Sequence, residues 1–217
     1  MKRINTDRLL RRIIQYVVGV SCIAFGIVLI KRTLWGVTPV SAIPDAAAAV
    51  TPLSIGNCVT LFCILCVITM MIINRKITVR ALLTIPVSIG FGYLVDFFMW
   101  LWHPEPGIFL NCLFLLAGIT VQGFGISAVA GSDMIFPAPD ELNRIIVKVF
   151  NKKLANVKIF MDVLYVVIAI LINLLTLHSV VSIGISSIIS AVLTGQFIRL
   201  FTRFLPGLQL PPVLNKK

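Results

Sequence analysis

Four charged side chains sit where charge is costly. Asp96, Lys158, Asp162 and Arg199 all fall inside long apolar runs. A charge within a bilayer is expensive and marks either a pathway or a locally satisfied pair. Lys158 and Asp162 are spaced to share one helix face, which allows a local ion pair. Arg199, with Arg203 close by, can snorkel its long stem to the interface. Asp96 and Asp162 are therefore the first candidates for a proton or cation site. Gln122, Asn57, Asn111 and Asn173 add uncharged polar groups that can line a path or bond across helices.

Two Pro-Asp dipeptides carry the next signal, Pro44-Asp45 and Pro139-Asp140. Pro139-Asp140-Glu141 suits a helix start, because proline fits the first turn and acids there complement the dipole. Leu142, Ile145, Ile146 and Val149 then form an apolar stripe, with Arg144, Lys148 and Lys152 off it. This predicts a short amphipathic helix at a membrane surface. The segment from Pro44 to Val50 is shorter and more apolar, and is either interfacial or re-entrant. Asp45 and Asp140 are expected to cap local backbone or to face a polar cavity. The two segments are read either as connecting helices or as paired gates on a central pathway.

The remaining chemistry is sparse. No HExxH, GxSxG or P-loop occurs, so neither an enzyme nor a cofactor or metal site is expected. Cys63 and Cys66 form a CxxC inside an apolar run, where small buried residues are the better reading than thiolate ligands. No basic patch interleaved with aromatics points to nucleic acid.

What positions these residues follows from the composition. Of 217 residues, 59% are hydrophobic and 12% charged, and mean hydropathy is +1.03. A soluble domain is nearer one quarter charged. Six runs are long enough to span lipid: Ile13–Ile30, Ile55–Ile73, Ala81–Trp102, Ile108–Ala130, Val157–Leu177 and Val180–Phe201. They lack the alternation of barrel strands, so they are helices. The first run is retained rather than cleaved, since Lys31-Arg32 follows it and no small-x-small site does. The net charge of +11 gathers at the N-terminus, after the second and fourth runs, and at the C-terminus. These segments share one side. Only Lys31 and Arg32 break the pattern on the other. The positive-inside rule puts both termini in the cytoplasm, and the basic inner face attracts anionic lipid headgroups.

The halves also repeat. Gly19–Gly26 reads GVSCIAFG and Gly118–Gly125 reads GITVQGFG, 99 residues later. Gly92-x-x-x-Asp96-x-Phe98 is answered by Gly195-x-x-x-Arg199-x-Phe201. Three spans per repeat force the second copy to enter from the opposite side, an inverted repeat. The glycines Gly19, Gly26, Gly118, Gly123, Gly125 and Gly195 permit close helix contact, and the Phe-Gly pairs either pack or mark helix breaks. The expected fold is all-α: a six-helix transmembrane bundle built as a 3+3 inverted repeat with two short Pro-Asp helices. Residues 1–12 form a basic tail, 13–107 the first repeat, 108–206 the second and 207–217 a C-terminal tail.

GVSCIAFGIVLI, the Gly-Val-Thr-Pro-Val turn with its Pro-Asp, GIT-x-QGFGISA and the closing G-x-x-x-R-L-F together resemble the bacterial YczE/YyaS/YitT family of multi-pass membrane proteins. The resemblance runs from the first span to the sixth. It implies a bacterial plasma membrane and supplies no catalytic residues. The inverted repeat favours a transporter of a small solute or ion, with Asp45, Asp96, Gln122, Asp140 and Asp162 as pathway candidates. The alternative is a non-transporting accessory or scaffold subunit. Neither the substrate nor the oligomeric state is legible.

Overall fold

Lipid offers no hydrogen bonds, so an apolar run immersed in it must satisfy its backbone internally. The structure, a computed structural model, describes residues 6–76, 78–103, 107–132, 134–152, 154–178 and 183–204. In these residues the runs are helices: α1 (Thr6–Arg32), α2 (Pro39–Val50), α3 (Ile55–Asn74), α4 (Val79–Leu101), α5 (Ile108–Ser132), α6 (Ala138–Phe150), α7 (Leu154–Leu177) and α8 (Ile185–Phe204). Among the described residues six helices are long and apolar enough to cross a membrane, namely α1, α3, α4, α5, α7 and α8. At 1.5 Å per residue, the 12 residues of α2 and the 13 of α6 are too short to cross. The chain is a multi-pass helical membrane protein.

The six expected spans match these helices. The largest shift is in the first, where the helix starts at Thr6 rather than Ile13; the last starts at Ile185 rather than Val180. Val180, Glu105, Lys153 and the tails at 1–5 and 207–217 lie outside the described residues.

α1 and α5 form the longest contact in the molecule and run antiparallel. Their backbones approach closely where glycine removes the side chain. A Cβ on Gly19 would meet the carbonyl of Gly125, and one on Gly26 would meet that of Gly118. Ile30, Ile119 and Val129 lie along the seam and are fully buried. Small residues let van der Waals packing act over a long seam where lipid supplies no hydrophobic drive between helices.

The other helices arrange around this pair. α4 packs on α1 and α8 on α5; α2 packs on α7 and α6 on α3. α3 and α4 also lie tightly together through Gly56 and Gly92, where a side chain on either would strike the other's backbone. Among the described residues α7 and α8 scarcely touch. Leu65, Ile72, Phe109, Leu175 and Ile188 point outward, as lipid-facing positions should.

Candidate functional site

Gln122 stands in the middle of α5, beside the Gly26–Gly118 crossing. Glycine at 26 leaves room for its side chain, which is buried, and its Oε1 has no hydrogen-bond partner. The side chain lines a cavity of about 520 Å³ between the two halves of the chain. Ile23 and Ile27 of α1, Phe62 of α3 and Phe91 of α4 supply apolar walls. The N-terminal turns of both short helices reach the cavity, α2 through Thr38 to Pro44 and α6 through Pro137 to Asp140. α8 contributes the stretch from Ser190 to Arg199.

Charge is confined to one end. Asp140, Lys158, Asp162 and Arg199 all line the cavity there. Lys158 Nζ is 3.3 Å from Asp162 Oδ1 and 3.8 Å from Asp140 Oδ1. The expected Lys158–Asp162 pair is thus present, and Asp140 joins it from α6. The first turn of α6 carries Asp140 and Glu141. Glu141 is buried and pairs with Arg80 of α4 at 3.4 Å.

Three sequence candidates therefore converge: Gln122, Asp140 and Asp162. Asp45 and Asp96 do not line the cavity. Among the described residues Asp45 is found neither at a helix start nor on this cavity, contrary to expectation. α2 begins at Pro39, five residues before Pro44, so Pro44-Asp45 lies inside the helix. There the buried carboxylate of Asp45 pairs with Lys31 Nζ at 2.6 Å. Asp96 is committed to α3. Its Oδ1 accepts from the Gly56 N–H at 2.7 Å, and its Oδ2 accepts from the Ser54 hydroxyl at 2.5 Å. Ser54 also caps the Asn57 N–H. A helix start exposes unpaired donors, and a carboxylate from α4 satisfies one of them.

The glycines divide in the same way. Gly19, Gly26, Gly118 and Gly125 are packed at the α1–α5 crossing, Gly92 meets Gly56, and Gly123 meets Phe197 of α8. Gly195 has nothing within 4 Å of its Cβ position and lines the cavity instead. The Phe-Gly pairs mark no break, for α1 and α5 are continuous. Of the other polar residues in spans, Asn111 and Asn173 are buried away from the cavity and Asn57 is exposed.

Sequence reasoning did not connect Lys31 to Asp45, Arg80 to Glu141 or Asp140 to Lys158. It also missed Asn143, fully buried on α6 with both amide atoms unpartnered.

No curated protein and no solved structure matches the chain. Residues 10–203 match a family of unknown function, DUF6198, over all six spanning helices almost end to end. The chain belongs to that family.

Proposed function

We propose that the chain is a transporter of the bacterial plasma membrane, moving a small solute or ion through the cavity between two inverted halves. The observation that carries this reading is the cavity itself. It is framed by both short helices and holds a buried amide with an unpartnered oxygen at mid-span and titratable groups at one end. Secondary transporters bind near the midplane at a repeat interface.

The packing supports the inverted repeat. Under a two-fold operation relating α1 to α5, the contact of Gly19 with Gly125 requires one of Gly26 with Gly118. Both are present. Likewise α2 on α7 is answered by α6 on α3, and α1 on α4 by α5 on α8. Among the described residues the α3–α4 contact has no α7–α8 counterpart of comparable extent. An exchange of that asymmetry between halves would alternate the open side. The resemblance to the YczE/YyaS/YitT family supports a bacterial plasma membrane.

The test uses a chain whose five cysteines are replaced by serine or alanine, with Gln122→Cys added. In membrane vesicles of either orientation, a membrane-impermeant methanethiosulfonate should modify Cys at this position from both faces. Modification from neither face would leave the accessory-subunit reading.

A further inference from the structure

Two helix pairs of like sequence stand in unlike states. α4 carries Gly92-x-x-x-Asp96-x-Phe98 and α8 carries Gly195-x-x-x-Arg199-x-Phe201. Gly92 and Gly195 each stand nine residues before the last residue of their helices, Leu101 and Phe204, and Asp96 and Arg199 each stand five before it. α4 is closed on α3. A Cβ on Gly92 would strike Thr60 and the Gly56 backbone, and Asp96 is tied to the start of α3. α8 is parted from α7. Gly195 has nothing within 4 Å of its Cβ position. Among the described residues no carboxylate stands within 4 Å of Arg199.

The parts for a second closed pair are present. Thr60 stands five residues after Ile55, which begins α3, and Ile159 stands five after Leu154, which begins α7. Ile159 is 64% exposed and lines the cavity, as Gly195 does. A projecting side chain on one helix thus has an empty glycine position on the next at the corresponding level. Glycine weakens a helix interior, and within a membrane its return is close approach of another helix. Gly195 has no such neighbour in the open pair.

Charge points the same way. The four charged groups on the cavity balance in number, Lys158 and Arg199 against Asp140 and Asp162. Their pairing is incomplete. Both carboxylates turn to Lys158, at 3.3 and 3.8 Å, and Arg199 is left over. A guanidinium has donors and no acceptor, so it cannot serve a helix start as Asp96 does. The partner that suits it is a carboxylate. While α8 stands away from α7, Arg199 is exposed and its long stem can carry the charge toward the interface.

We infer that α8 is a gate: it closes on α7 as α4 is closed on α3, seating Gly195 on Ile159 and bringing Arg199 to Asp140 and Asp162. The inference rests on the proposed pair of inverted halves and names the device that opens and shuts their cavity. The gate controls the side where Ile159 and Val192 both line the wall and are exposed on the outside of the bundle. Closure pairs all four charges, and opening returns Arg199 to the interface.

Disulfide trapping tests it. The full chain, with its five cysteines replaced by serine or alanine, receives Ile159→Cys and Gly195→Cys and is oxidised in membranes with copper phenanthroline. Both positions are exposed, so neither change removes a packed core side chain. After denaturation, a polyethylene-glycol maleimide reports free thiols by a gel shift. The oxidised pair should resist the maleimide, and reductant should restore the shift. Ile159→Cys with Ile188→Cys is the control. Ile188 lies seven residues nearer the start of α8 than Gly195, and this pair should not be trapped. Arg199→Gln should slow trapping by about tenfold or more, as loss of a charged hydrogen bond does. Asp162→Asn should act in the same direction, and Arg199→Lys should restore part of the rate. The comparison of the two cysteine pairs stands whether or not the charge variants fold. An untrapped pair, trapping no faster than in the control, or a rate that a folded Arg199→Gln variant leaves unchanged overturns the inference. Trapping with position 122 reachable from neither face would keep the gate and reject transport. Position 122 reachable from both faces without trapping would do the reverse.

Discussion

Lys31 and Asp45 meet in a nearly dry place. Asp45 is 3% exposed, and its second oxygen, Oδ2, has no partner beyond the ion pair. The two cations that break the positive-inside pattern are thereby accounted for. Lys31 is held by Asp45, and Arg32 Nη2 donates to the Met99 carbonyl at 2.5 Å. Both are structural charges drawn into the fold, not charges left in a loop. Breaking a buried pair strands one charge and costs about 3–5 kcal/mol, whereas replacing both partners is often near neutral. Lys31→Met should therefore lower the unfolding midpoint of purified protein sharply. Lys31→Met with Asp45→Leu should recover most of that loss. Additive losses in the double variant would mean that the two side chains are not coupled.

Helix contacts follow the glycines, and the glycines are not equivalent. At Gly26 a side chain would collide with the Gly118 carbonyl and the Gln122 backbone, neither of which can move without parting α1 from α5. Gly26→Leu should cost more than the 1–3 kcal/mol usual for overpacking and should abolish the monodisperse peak in size-exclusion chromatography of detergent extracts. Gly195→Ala should leave that peak intact, since its Cβ would enter open space. Equal loss from both would show that composition, not contact, sets glycine's importance here. The short helices differ as well. α6 has a buried first turn and an exposed end, with Val149 and Phe150 outward. α2 lies against α7 and α3, with its first half mostly buried.

At the scale of the molecule, α1 begins and α8 ends on the same face, because six crossings separate them. The described basic residues of that face include Arg75, Arg80, Arg144, Lys148 and Arg203. On the positive-inside rule we propose that it is the cytoplasmic face. In a cysteine-free background, His103→Cys should react with an impermeant maleimide on intact cells, and Lys152→Cys should react only after permeabilisation. Both positions are exposed. The reverse pattern would invert the orientation. Trp100, exposed near the end of α4, would then lose its place at the outer interface.

The all-helical architecture and the location of the six spans were legible because both depend on local quantities. Run length against bilayer thickness and the cost of unpaired backbone act on each segment separately. The start of α6 and the Lys158–Asp162 pair were legible for the same reason, being set within one helix turn. Partnerships between distant segments were not. Asp140, Asp162 and Gln122 come from three helices, and only packing brings them to one cavity while sending Asp96 to the start of α3 and Asp45 to Lys31. The two Pro-Asp dipeptides look alike in sequence, yet one opens α6 and the other lies inside α2. A helix begins where its donors can be satisfied and its face buried, and those conditions are met by neighbours far away in the chain. Gly92 and Gly195 likewise share a motif and part company in the fold, because one faces a helix and the other faces space. Side-chain type is local, but a contact needs two surfaces, and only the tertiary structure decides which surfaces meet.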